Sequence, residues 1–437
     1  MLGTIMGPLD ASIANVAMPT IAHSFGRGVD VTEWILLSYM LVTASTLVLF
    51  GRLGDMFGQK RIYLGGFAIF GIGSLCCALA PSLALLISSR VLQALGAAML
   101  ISCTQAIIVD SFPATERGRA IGFNGAAVAF GLSTGPILGG AIVTYADWRW
   151  IFLINIPITI VALTLAAIVL HPARRQGEGF DPFGAAFSIA GLFSLSLALS
   201  RAHVWGWTSP RFIWLVVFSA VVFAAFLWVE RRVKHPTLDL ELFRNQTFAL
   251  SLIAAFIYFT AQSGIVFIIP LAAQLTMHLS PLNAGLLLIP ISLLNIVLAP
   301  AAGSLSDRVP ARYVSTFGAL LVTLGTFLLS RLPNDPVPWH IAGTLVVTGA
   351  GTAVFTQPNN SAIMGAAPPN RRGVAAAMLG TARTSGQLLG VAIAGAVYFS
   401  RAAQLGPLGK TFAPATTYFA GVTAMMLIVA VISSLRD

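Results

Sequence analysis

Along the chain, apolar stretches of nearly constant length alternate with short breaks that carry charge, proline or glycine. A helix rises 1.5 Å per residue and needs about 20 apolar residues to cross a hydrocarbon core. Runs of that kind fall at about 1–22, 34–54, 62–81, 83–109, 119–143, 150–170, 183–201, 212–230, 248–272, 281–304, 313–332, 339–363, 373–400 and 412–434. They predict fourteen transmembrane helices. The breaks, such as HPARRQGEGFDP and RLPNDPVPWH, predict the loops. In lipid a single helix satisfies its own backbone groups, so uninterrupted runs of this length are read as helices.

Composition agrees with this pattern. Of 437 residues, 57% are hydrophobic and 9% charged, whereas a soluble domain carries about 25% charged residues. Both a soluble enzyme and a disordered chain are excluded. The formal net charge of +10 would suggest nucleic acid in a soluble protein. Here the basic residues collect on one side. With a cytoplasmic N-terminus, the inner loops hold the clusters Lys60–Arg61, Arg117–Arg119, Arg174–Arg175, Arg231–Arg232, Arg308–Arg312 and Arg371–Arg372. The outer loops hold mostly single arginines, which fits the positive-inside bias and puts both termini in the cytoplasm. Trp34, Trp148, Trp150 and Trp339 are expected as outer interface anchors. Met1 opens inside the first run with no charged segment before it, so that run reads as a crossing helix and not as a cleaved signal peptide. Cys76, Cys77 and Cys103 lack metal-ligand spacing and are expected as small core residues. No phosphate-binding G-x-x-x-x-G-K-[ST] loop occurs, so energy is expected from an ion gradient and no cofactor is expected.

The chain also repeats itself. Gly51, Leu53, Asp55 and Lys60 match Gly303, Leu305, Asp307 and Arg312 at an offset of 252 residues. Gly118, Gly131, Gly135 and Gly140 match Gly373, Gly386, Gly390 and Gly395 at an offset of 255. This predicts a duplicated six-helix bundle, residues 1–172 and 246–437, with two extra helices and linkers inserted over 173–245.

One carboxylate, Asp10, lies well inside an apolar run. An ionised carboxylate there costs at least about 2.5–3.5 kcal/mol, so it is protonated unless a cation or water stabilises it. A proton carrier has this property; a structural ion pair is the plainer alternative. Arg90, roughly 10 Å into the fourth run, is its natural partner, directly or through Gln93 and water. Arg383 is a second interior cation, which either contacts a substrate or binds helix-end carbonyls. Asn15, Gln93, Asn124, Tyr258, Gln262, Asn295, Gln357, Asn360 and Gln387 are candidate cavity residues, although polar groups in such helices commonly join helices together. Pro358 is expected to break the twelfth run.

The string GRLGDMFGQKR resembles the loop between helices two and three of the major facilitator superfamily. LDASIANVAMP, RVLQALGAA, GLSTGPILGG and WRWIFLINIP resemble the fourteen-spanner drug:proton antiporters within it. The resemblance covers essentially the whole chain. It implies an all-α membrane fold of two six-helix bundles plus two central helices. It further implies export of an amphipathic small molecule in exchange for protons, in the cytoplasmic membrane, by a non-enzyme. A monomer in the lipid bilayer, with no nucleic-acid partner, is expected. It implies a conformational latch at Gly51, Arg52, Gly54, Asp55, Gly58, Lys60 and Arg61, with Lys60 and Arg61 at the anionic leaflet. Gly131, Gly135, Pro136, Gly139 and Gly140 would form the antiporter signature, sealing by tight packing. Asp10 and Arg90 would couple transport to protons. Drug exporters of this kind that carry dications tend to place further acids in the C-terminal half. This chain has none inside its last six runs, which disfavours a dication. A proton-coupled symporter or facilitator of a metabolite is the alternative.

Overall fold

The computed structural model describes residues 2–111, 117–170, 182–230, 240–306, 308–368, 372–405 and 412–435. These residues are helical almost throughout. The helices are α1 (Leu2–Ser24), α2 (Val29–Thr32), α3 (Trp34–Phe57), α4 (Gln59–Ala78), α5 (Leu83–Ser111), α6 (Arg117–Tyr145), α7 (Trp150–Leu153), α8 (Asn155–Val169), α9 (Pro182–Trp205), α10 (Pro210–Glu230), α11 (Gln246–Thr276), α12 (Pro281–Leu286), α13 (Ile289–Ser306), α14 (Ala311–Ser330), α15 (Pro338–Ala366), α16 (Arg372–Leu405) and α17 (Ala413–Ser434). Every apolar run is helical. Among the described residues, eight helical stretches are long and apolar enough to cross a membrane by length and composition. Two of the remaining long helices, α1 and α16, are diluted by glycine, hydroxyl and charged side chains.

Two runs are each built from two pieces. The sixth divides into α7 and α8, and the tenth into α12 and α13. Pro157 and Pro290 lie in the first turn of the second piece, where the missing N–H costs least. Pro358 does not break its run. α15 continues from Pro338 to Ala366 with Pro358 buried inside it, so the expected break is not seen.

The chain divides into two compact units. One comprises Met1–Gly135, Tyr145–Ala198 and Trp207–Asp239; the other comprises Pro136–Thr144, Leu199–Gly206 and Leu240–Asp437. The same glycine notches recur inside both. In the first unit, a Cβ on Gly96 would strike the backbone of Phe70 and Gly66. In the second, one on Gly351 would strike Val322 and the Gly318 carbonyl. Gly131 meets the backbone of Ile5 and Leu9, and Gly135 meets Ser12. Gly386 meets Phe256 and Thr260, and Gly390 meets Thr260 and Ser263. These close approaches let backbones pack where larger side chains would hold them apart. They extend the repeat to a third pair of elements, α1 and α11, at an offset of 251 residues.

Two sequence expectations need correction. Trp148 is not an interface anchor: it is 4% exposed and packs against Phe25 and Phe152, with centroid distances of 5.6 and 6.3 Å. Cys76 is exposed, whereas Cys77 and Cys103 are buried.

Candidate functional site

Asp10 on α1 is 1% exposed and Arg90 on α5 is fully buried. Arg90 Nη1 donates to Asp10 Oδ2, forming an ion pair. Gln93 lies one turn beyond Arg90, so both side chains project from one face of α5. Its Nε2 donates to Asp10 Oδ1 at 2.9 Å and to Ser74 Oγ at 2.8 Å, while its Oε1 accepts from Arg90 Nη1 at 2.6 Å. Asn155, the first residue of α8, donates from Nδ2 to Asp10 Oδ1 at 2.8 Å. One carboxylate therefore receives a cation and two amides. Charge-assisted bonds of this kind are the strong ones, and they compensate the desolvation of a buried pair.

α3 holds the guanidinium from the other side. Ile35 and Tyr39 lie one turn apart. Arg90 Nε donates to the Ile35 carbonyl at 3.1 Å, and the Tyr39 ring lies 4.1 Å from the guanidinium carbon. Phe152 adds a second ring at 5.6 Å. Arg90 Nη2 and Asn155 Oδ1 are buried with no hydrogen-bond partner among the described residues, so the cluster retains one spare donor and one spare acceptor.

Sequence reasoning brought Asp10, Arg90 and Gln93 together but assigned Gln93 to a substrate cavity. The structure instead buries it completely within the carboxylate cluster. Asn155, Tyr39 and Ser74 were missed. Asn155 had a signal, as the lone amide in the apolar run that follows WRW. Glu33 at the head of α3 was missed as well, and is also fully buried.

Elsewhere in the first unit, Asn124 accepts from Thr4 Oγ1 at 2.7 Å and joins α6 to α1. Asn15 is buried at 8% exposure. In the latch segment, Gly58 separates α3 from α4 at φ 98°. Lys60 Nζ donates to the carbonyls of Ala167, at 2.8 Å, and Leu170 just past the end of α8. Arg61 is exposed. The side chains of Arg52 and Asp55 lie outside the described residues.

In the second unit, Tyr258 is 2% exposed and packs on Phe355 at 4.8 Å. Gln262, Asn295, Gln357, Asn360 and Gln387 are half-buried, and they are not gathered into one hydrogen-bonded cluster. Asn359, by contrast, is buried and donates to the Ser251 carbonyl at 3.1 Å. Pro136, Gly139 and Gly140 are buried near the end of α6, with Gly140 against Pro281 and Leu282. Arg383 is half-buried and donates to no helix-end carbonyl among the described residues. No cluster of potential metal ligands occurs among the described residues.

The sequence pattern described as Major Facilitator Superfamily matches residues 1–184 and 172–391. The chain is 34% identical over 393 residues to the riboflavin transporter RibZ of Clostridioides difficile, covering 90% of this chain and 85% of that protein. It is 34% identical over 398 residues to the multidrug resistance protein Stp of Mycobacterium tuberculosis, covering 91% and 74%. The crystal structure of the human organic anion transporter MFSD10 superposes with a TM-score of 0.68 at 16% identity, covering 99% of this chain and 97% of that one. This last likeness concerns the fold.

Proposed function

Because the chain belongs to the Major Facilitator Superfamily and is a multi-pass secondary transporter of small molecules, we propose that it exports amphipathic compounds in exchange for protons. The observation that carries this reading is the buried Asp10 carboxylate, held by one cation and two amides. Ionised Asp10 engages Arg90. Protonation removes the charge that holds the guanidinium and frees it to turn to the Ile35 carbonyl and the Tyr39 ring alone. The spare donor on Arg90 and the spare acceptor on Asn155 suit an entering water, which needs two to four polar partners. An equilibrium between two access states is biased only by a group that interacts differently with each, and this ion pair is such a group.

The same reading takes the chain as fourteen crossings in the cytoplasmic membrane with both termini inside. It takes residues 1–172 and 246–437 as the two bundles, 173–245 as the insert, and the protein as a monomer without a cofactor. Relatives named for multidrug resistance support the export of drugs.

The test uses purified protein in liposomes with an imposed pH difference. Gradient-driven exchange is expected for the unaltered protein and lost in Asp10→Asn. Full pH-driven exchange by Asp10→Asn refutes the carrier role. A second reading, uptake or facilitated passage of a metabolite, is favoured by the likeness to a riboflavin transporter. Accumulation in right-side-out rather than everted vesicles supports it.

A further inference from the structure

The two interior arginines are not equivalent. Arg90 is neutralised by Asp10, and the three polar partners described above use both oxygens of that carboxylate. Arg383 lies eleven residues past the start of α16 at Arg372, roughly 16 Å along the helix. It makes no hydrogen bond and no ion pair among the described residues. No Asp or Glu occurs anywhere in α11 to α17. Its counterpart in the repeat, at the 255 offset, is the neutral Val128, so the charge is an addition to the shared frame.

An arginine at membrane depth has three ordinary escapes: a carboxylate, a set of backbone carbonyls, or a long reach to the interface. The first two are not made here. The third is disfavoured because no residue of α16 from Met378 to Ser400 is exposed. Gln387, one turn on, is half-buried, and its side chain also makes no hydrogen bond among the described residues. On α11, the Gln262 Oε1 is buried without a partner. The register of Gly386 and Gly390 against Phe256, Thr260 and Ser263 places Arg383, Gln387 and Gln262 on the same flank of the α11–α16 pair.

We propose that Arg383, with Gln387, receives an oxyanion of the transported compound, so that the cargo is an amphiphile bearing a carboxylate, sulfonate or phosphate. The planar guanidinium presents two parallel donors that match such a group, and the Gln387 amide supplies another. Gln262 Oε1, higher on the same flank, accepts from a donor on the body of the compound. This assignment rests on the reading of the chain as an exporter of amphiphiles and narrows its cargo from amphiphiles in general to acidic ones.

The experiment is equilibrium binding to the purified full chain in phosphatidylcholine nanodiscs, with no pH gradient. The probes are 1-pyrenebutyrate, its methyl ester and 1-pyrenebutylamine, with a matching naphthyl set. The carboxylates are expected to bind at least about tenfold more tightly than their esters, equivalent to about 1.4 kcal/mol, and the amines more weakly still. Arg383→Gln should abolish that preference, chiefly by weakening acid binding at least about tenfold, and a thermal melt of the variant in the same nanodiscs reports that it is folded. Arg383→Lys should keep a reduced preference. Equal binding of acid and ester by the unaltered protein, or an acid preference that survives Arg383→Gln, overturns the proposal. So does loss of acid binding when phosphatidylglycerol is added, which would give the arginine to a lipid headgroup. Since no gradient is applied, transport that proves indifferent to pH would sink the antiport reading without touching this one.

Discussion

Neutralising Asp10 should cost far more than neutralising the pair. In Asp10→Asn, the retained oxygen still accepts from Gln93 and Asn155, now at 2.9 and 2.8 Å. The new amide, however, presents a donor to the Arg90 Nη1 donor and leaves the guanidinium fully buried without a counter-charge. Removing one partner of a buried pair costs about 3–5 kcal/mol. Set against total stabilities of about 5–15 kcal/mol, that is a large fraction. Asp10→Asn combined with Arg90→Gln removes both charges. The double variant still loses the bond to Ile35 and the contact with Tyr39, together about 1–2 kcal/mol. The double variant should therefore be more stable than Asp10→Asn alone by about 1–4 kcal/mol. Denaturant unfolding of the four purified proteins in one detergent reads this directly. Additive single effects, within about 0.5 kcal/mol, would show that the two charges do not hold each other and would remove the basis of the switch.

Two further outcomes follow from the latch segment. Gly58→Ala places a side chain at φ 98°, where nothing lies within 4 Å of the added carbon, so the loss is purely conformational. It should be about 1–2 kcal/mol in unfolding free energy, and wild-type stability would contradict it. Lys60→Met removes the donor to the carbonyls at the end of α8 and should cost about 1 kcal/mol. If Lys60 acted only by attraction to anionic lipid, the loss would appear in phosphatidylglycerol bilayers and vanish in uncharged detergent.

The parts of the site legible in the sequence were the ionisable ones. A carboxylate or guanidinium inside an apolar run stands out because lipid penalises it, and the scarcity of such residues made Asp10 and Arg90 natural partners. Asn155 and Ser74 were not legible in that way. Amides and hydroxyls are common in packed membrane helices, and only the fold reveals which of them meets a charge. The Ile35 carbonyl was invisible in principle, because every residue carries one. Helix positions followed from the apolar runs, but Pro358 misled. A proline removes one backbone bond, and neighbouring groups can absorb that loss within a continuous helix. Trp148 misled for a different reason: an aromatic ring near a helix end suits an interface or a buried seam equally, and packing with Phe25 and Phe152 decided it.

The recurrent glycine notches have a consequence for how this molecule could be altered. Carried across by the same offsets, Asp10, Arg90 and Gln93 fall on Ala261, Leu345 and Thr348, all buried. One bundle thus keeps an ionic centre where its twin keeps alkane and a hydroxyl, upon matching backbone approaches. The scaffold tolerates either filling, so an acid at 261 opposite a base at 345 becomes a rational graft for building a second titratable centre into the same architecture.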